Sequence, residues 1–250
     1  MAGLVPAISL AGAPAMGSGM PGTSPGMTSE GDVGSKPSAD DLEADRARAL
    51  SAFPVSRETA ARLDEFLELL LKWQQTMNLI APSTVGEVWT RHILDSLQLL
   101  PLAPDAKTWI DLGSGGGFPG LVIACALIGR PGAKVHLVES NRKKAGFLLE
   151  AARRLAVPAL VHAARIEDFV DTFGESADVV MARAVAPVRN LLSLAEPLLK
   201  NGAIGLFPKG QDVETELTEA AKYWIIETDA VPSLTSAQGR VLVVRTARRR

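Results

Sequence analysis

The sequence predicts a doubly wound α/β fold in which five parallel strands are followed by a C-terminal antiparallel hairpin, behind an N-terminal helical extension. Three observations predict it. From residue 106 onward, short runs rich in β-branched and apolar residues alternate with helical segments, as strands of a sheet covered on both faces do. A glycine-rich turn joins the first of these strands to the helix after it. The last two apolar runs, YWIIET and GRVLVVRT, are separated by a loop too short for a helical crossover but long enough for a hairpin.

Taken in order, residues 1–50 are rich in Gly, Pro, Ala and Ser and end in the charged run DDLEADRAR. Little periodic apolar surface is present to offset ordering entropy, so a disordered extension is expected there. Met16, Met20 and Met27 offer later translation starts within it. Residues 51–105 form the helical part. From Ser56, a suitable N-cap, Leu63, Phe66, Leu67, Leu70 and Leu71 recur at helical spacing with charged residues opposite, and a second helix is expected from Ser83 to Leu100, stopped by Pro101. Residues 106–246 supply the strands TWIDL, KVHLVE, ALVHA, ADVVMA and AIGLF. Helices are expected at 118–128, 141–156, 187–200 and 211–222, with only a short turn containing Glu167 after the third strand. Residues 247–250 are read as a mobile basic tail.

Composition narrows the function. With 47% hydrophobic and 22% charged residues, 250 residues can bury one substantial core. A formal net charge of −2 gives the molecule no overall attraction for nucleic acid, so any such contact must use a local patch. The single cysteine, Cys125, excludes an internal disulfide and a thiolate metal cage, and its apolar surroundings suit a buried small hydrophobe in a reducing compartment. The opening MAGLVPAISLAGAPAMG lacks a basic flank and is interrupted by Pro6 and Pro14. Nowhere does an apolar run reach the roughly eighteen residues of a membrane span. A soluble, cytoplasmic, monomeric protein without metal is expected.

The segment WIDLGSGGGFPG, Trp109 to Gly120, carries the chemistry. A buried strand ends at Asp111 and passes through glycines, which can adopt positive φ and let a ligand approach the backbone, into a helix opening at Pro119. Gly115, Gly117 and Gly120 formally satisfy G-x-G-x-x-G, so a dinucleotide such as NAD competes as the ligand. An acidic residue just before the first glycine favours a cation instead. A pyrophosphate would be repelled by Asp111, whereas the sulfonium and ammonium of S-adenosyl-L-methionine would be attracted. Glu139, at the end of the second strand, is placed to accept ribose hydroxyls, although a solvated strand-end acid would look the same.

Seven motifs in one order, MNLIAP, RHILDSLQLLP, DLGSGGGFPG, ESNRKKAGFL, ARIEDF, ARAVAP and FPKG, cover roughly residues 76–215. In this the chain resembles the small-subunit (16S) ribosomal RNA guanine-N7 methyltransferases, also called the glucose-inhibited division protein B family. The resemblance implies the Rossmann-like class I methyltransferase sheet, methyl transfer from S-adenosyl-L-methionine to N7 of a guanine, and 16S ribosomal RNA or the small subunit as partner. It implies cofactor contacts at Gly113, Phe118, the Ile166–Glu167 pair and Arg183. PKG stands here where many members have LKG, and the first fifty residues have no counterpart in a typical member. Guanine N7 already carries a lone pair, so no general base is required and no catalytic residue is assigned. Expected RNA contacts are Arg91, Arg142, Lys143, Arg165 and Lys209. For Arg142 and Lys143 a solvated helix face is an equal alternative. His92 reads as a hydrogen-bonded structural histidine. Methylation of another substrate and nicotinamide-dependent oxidoreduction remain as alternatives.

Overall fold

A computed structural model describes residues 38–250. Seven strands form one sheet: β1 (Thr108–Leu112), β2 (Lys134–Val138), β3 (Ala159–His162), β4 (Val179–Met181), β5 (Ile204–Lys209), β6 (Trp224–Pro232) and β7 (Arg240–Arg249), in the spatial order β3-β2-β1-β4-β5-β7-β6. The first five are parallel, and β7 pairs antiparallel with both β5 and β6. The chain runs outward from β1 through β2 to β3, then returns to place β4 on the other side of β1. A crevice therefore opens at the carboxyl ends of β1 and β4, where doubly wound sheets bind ligands.

The alternation of side chains sorts the core into two layers. Trp109, Leu137, Met181, Leu206 and Val243 face one way. They pack with α2 (Arg57–Gln74), α4 (Gly120–Ala126) and α5 (Arg142–Arg154). Ile110, Val138, Val180, Phe207 and Leu242 face the other way, under α6 (Ile166–Thr172), α7 (Val188–Lys200) and α8 (Val213–Ala220). Cys125 is buried in the first layer, and burial pushes its thiol up to about 12, so it behaves as an apolar filler. Among the described residues, no helix is long and apolar enough to cross a membrane.

Four local expectations are corrected. Residues 39–50, expected within a structureless extension, belong to α1 (Ala39–Ala52), opened by a reciprocal Ser38–Asp41 capping box. Ala49 enters the core with Leu42 and Leu50 packed beside it, but much of the attachment is polar, which apolar periodicity does not show. Arg46 makes two hydrogen bonds to Asp64, at 2.8 and 2.9 Å. Asp45, fully buried, accepts from the backbone N–H groups of Trp89 and Thr90. Residues 1–37 lie outside the described residues. The helix expected from Ser83 to Leu100 is instead a chain of short turns: a 3-10 turn at Pro82–Glu87, a π turn at Trp89–Leu94, α3 (Asp95–Leu97) and a 3-10 turn at Leu100–Leu102. The segment after β3 is the helix α6 rather than a turn, because Phe169 and Val170 have a core to enter. Finally, Ala247–Arg249 belong to β7 and pair with Trp224–Ile226, so they are no tail. Arg249 bonds Glu196 at 2.9 Å with its guanidinium over Trp224, and Arg250 donates to the Ala221 carbonyl.

Asp45 satisfies two backbone donors at the start of the π turn, which carries Arg91 and His92. Replacing Asp45 with Ala leaves those donors without their acceptor and is expected to cost about 1–3 kcal/mol of stability, measured by urea or thermal unfolding. Unchanged stability would show that α1 is not docked.

Candidate functional site

The crevice is built around the turn between β1 and α4. Gly113, Gly115 and Gly117 all have positive φ. The Gly113 and Ser114 amides donate to the Val138 carbonyl of β2, at 2.9 and 3.0 Å, so the turn is anchored to the neighbouring strand. A side chain is excluded at Gly113 twice over: φ is +73°, and a β-carbon there would lie 2.8 Å from a Val185 methyl. The same β-carbon would lie 3.9 Å from the Ile166 side chain, so Ile166 packs beside the loop.

Two carboxylates flank this turn. Asp111 is fully buried, and its Oδ2 accepts from the Gly120 amide at 3.0 Å, so it joins the end of β1 to the start of α4. Its Oδ1 is buried without a hydrogen-bond partner among the described residues. Burial raises the Asp111 carboxyl to about 7. Glu139, also buried, accepts from the Gly115 amide at 2.9 Å and from the Asn141 amide at 2.7 Å. It stitches the loop to the end of β2, a role its position in the sequence did not disclose. Each of its oxygens still has a lone pair for a ligand hydroxyl.

A second group gathers at the end of β4. Arg183 lies over the ring of Phe118, 5.5 Å from its centroid, and Phe118 packs on Phe66 and His92. The guanidinium donates to the Arg91 carbonyl at 3.2 Å and to His92 Nδ1 at 2.6 Å. An acceptor at Nδ1 places the imidazole proton on Nε2, which donates to the Thr84 hydroxyl at 2.8 Å, and that hydroxyl donates to the Ala81 carbonyl. Burial, reinforced by Arg183 and Arg91, pushes His92 down to about 3, so the ring is neutral. Beside this chain lies a cavity of about 400 Å³, whose wall includes Arg91, His92, Asp95, Arg183, Lys209 and Glu216.

The expected RNA-contacting cations separate into three kinds. Arg91 is exposed at the cavity wall. Arg142 and Lys143 are exposed on the first turn of α5, capped by Asn141, and Arg165 is exposed 3.7 Å from the half-exposed Glu167. Lys209 differs from expectation: it is nearly buried, 2.6 Å from Glu216 and donating to the Ala186 carbonyl. A lysine at a buried strand end needs such an acidic partner, which neutralises the charge a phosphate would use. Asp95, Glu216 and the 233–236 loop were not picked out from the sequence. The only signal for Asp95 was its place within the RHILDS motif, shared with Arg91 and His92. Among the described residues, no group of three or more His, Cys, Asp or Glu side chains is arranged to hold a metal ion.

Known proteins share this fold and much of this sequence. An O-methyltransferase from Bacillus cereus, solved with S-adenosylhomocysteine, superposes with a TM-score of 0.54 at 13% identity, covering 82% of this chain and 100% of that one. The O-methyltransferase TomG from Streptomyces achromogenes, solved with S-adenosylmethionine, gives 0.54 at 15% identity, over 82% of this chain and 98% of that one. At that identity the likeness shows the class I methyltransferase fold. Sequence relatives are much nearer. The ribosomal RNA small subunit methyltransferase G of a Bradyrhizobium species is 58% identical over 203 residues, 81% of this chain and 91% of the relative. That of Nitrobacter hamburgensis is 56% identical over 207 residues, 83% of this chain and 80% of the relative. The family described as rRNA small subunit methyltransferase G matches residues 59–243, and the chain belongs to it.

Proposed function

We propose that this chain transfers a methyl group from S-adenosyl-L-methionine to N7 of one guanine in 16S ribosomal RNA, acting as a cytoplasmic monomer without metal. The observation that carries the reading is the pair of carboxylates, Asp111 and Glu139, packed against a glycine turn at the switch point of the sheet. A cationic cofactor would draw Asp111 into its ionised form beside Glu139, whereas a pyrophosphate would be repelled. The buried, unpartnered Asp111 Oδ1 and the spare lone pairs of Glu139 fit an ammonium and ribose hydroxyls respectively.

Gly113, Phe118, Glu139, Ile166, Glu167 and Arg183 would hold the cofactor. When bound, it supplies a methyl on a sulfonium, which departs as a neutral thioether. The residues here need only orient the two partners, because the N7 lone pair is available without loss of a proton. Nothing in the Arg183–His92–Thr84 chain serves as a base: His92 Nδ1 already accepts from Arg183, and the ring stays neutral to about pH 3. A neutral ring also keeps one more positive charge away from a guanine that becomes cationic as it is methylated. Arg183, fixed on three sides, is suited to hold a carboxylate or phosphate, and the exposed Arg91, Arg142, Lys143 and Arg165 to meet the RNA backbone.

The direct test is transfer of a labelled methyl to ribosomal RNA and to isolated small subunits from a strain lacking this gene, with the label mapped to its base. Label at one guanine N7 is expected; cofactor binding without label on either substrate would discard the ribosomal assignment. Gly113→Val should cost about 1–3 kcal/mol in backbone strain and abolish S-adenosylhomocysteine binding by calorimetry. A variant that folds and binds normally would refute the loop assignment. The pH dependence follows from Asp111, whose carboxyl lies near 7 in the folded protein against 3.8 for the free group. The folded state therefore holds a proton that the unfolded state releases, and this contribution to stability is lost as pH rises from about 4 to 7. A ligand ammonium favours the ionised form. S-adenosylhomocysteine should thus bind more tightly as pH rises towards 7, by at most about tenfold per unit, and then level off. Asp111→Asn should flatten that profile. A wild-type affinity independent of pH would count against the contact.

A further inference from the structure

The cavity of about 400 Å³ stands outside the glycine turn: its wall includes Arg183 but neither Gly113 nor Ile166. Its size suits a small planar group, within the range of roughly 300–1,000 Å³ seen for ligand pockets. Two carboxylates, Asp95 and Glu216, belong to the wall, and their situations differ. Glu216 is neutralised by Lys209 at 2.6 Å and also accepts from the Val188 amide. Asp95 divides its two oxygens. Its Oδ1 accepts from Gln98 Nε2 and from the Thr235 hydroxyl, both at 2.8 Å, which fixes the carboxylate plane and ties it to the 233–235 loop. Its Oδ2 accepts no hydrogen bond among the described residues, and the nearest cation recorded for it, Arg183, is 3.8 Å away, beyond hydrogen-bond reach. The side chain is only 14% exposed. A nearly buried carboxylate that is held rigid by one oxygen and left open at the other is an acceptor site for a donor-bearing ligand.

From this we infer that Asp95 reads the guanine: the target base enters this cavity and gives its N1–H and N2–H groups to Oδ2. The inference rests on the methyl-transfer reading above and adds to it the residue that selects the base. Guanine is the base whose Watson–Crick edge carries two adjacent donors. Adenine would turn its N1 lone pair towards the same carboxylate and be repelled. Such an edge is available only when the nucleotide has left its stack, as bases modified at ring atoms generally do. The same contact assists the reaction. Positive charge developing on the ring as N7 is methylated makes N1–H more acidic, so its hydrogen bond to Oδ2 strengthens towards the transition state. Arg183, shared between the cavity wall and the Phe118 side of the cofactor site, joins the two sites.

The test compares guanine with inosine, which lacks the N2 amino group, at the mapped nucleotide of small subunits assembled on ligated RNA. Wild-type protein should lose about 10- to 100-fold in kcat/KM on inosine, the usual range for one well-made base-edge contact. Asp95→Asn should lose a similar factor on guanine, keep its S-adenosylhomocysteine affinity, and lose little more on inosine, because both changes remove one interaction. Additive losses would show that Asp95 acts on folding or cofactor alone and would overturn the inference. If Asp95→Asn does not fold, the wild-type measurement decides by itself: equal rates on guanine and inosine exclude a carboxylate reading of N2. Label found at guanine N7 with no inosine penalty removes this inference and leaves the methyl-transfer reading intact. Label found elsewhere, or nowhere, removes both.

Discussion

The hydrogen bond between the Gly120 amide and the buried Asp111 carboxylate constrains everything built around it. It closes the turn from β1 into α4 by joining the last residues of the strand to the first residue of the helix. The turn can be that tight only because Gly120 brings no side chain, since a β-carbon there would overlap both Asp111 and Leu137. With both ends held, the glycines between are left to adopt positive φ, and Glu139 takes up the Gly115 amide from the adjacent strand. Asp111 carries the energetic cost of this arrangement as a carboxyl driven upward by burial, with one oxygen unpartnered. A cationic ligand relieves that cost, so the site is least comfortable when empty.

Strand order follows from the same crossing point. The parallel strands and the terminal hairpin were legible because short runs rich in β-branched and apolar residues alternate with helical segments and the last two runs lacked room for a helix between them. The glycine turn was legible from spacing and from the acid before it. What was hidden is what depends on polar partners brought together from afar. Helix α1 shows little apolar periodicity and is held in part by Asp45 and Arg46, whose partners lie on other elements. The C-terminal arginines look like a solvated tail until β6 supplies a strand to pair with and Glu196 and Trp224 supply places for Arg249. Lys209 looks like a free cation until Glu216 is folded against it.

The Arg183 network shows how a cation can be placed beside a reaction that generates positive charge. Its guanidinium is fixed by a carbonyl, by a neutral imidazole and by the stacking face of Phe118. Each of these holds the charge in position without neutralising it, whereas the full counter-ion, Asp95, stands back at 3.8 Å. The charge is therefore available to an anionic group while its direction stays fixed, which a flexible surface arginine could not offer.

Docking of α1 also bears on gene expression. Asp45 grips the start of the turn that bears Arg91 and His92 and leads on to Asp95, so one wall of the cavity is held by a helix that precedes the region matched by the family. Met16, Met20 and Met27 all lie upstream of Ser38, where the helix cap begins. Initiation at any of the three would produce a shorter polypeptide that retains the residues of the clamp. A start beyond Asp45 would remove the acceptor that holds the Trp89 and Thr90 amides.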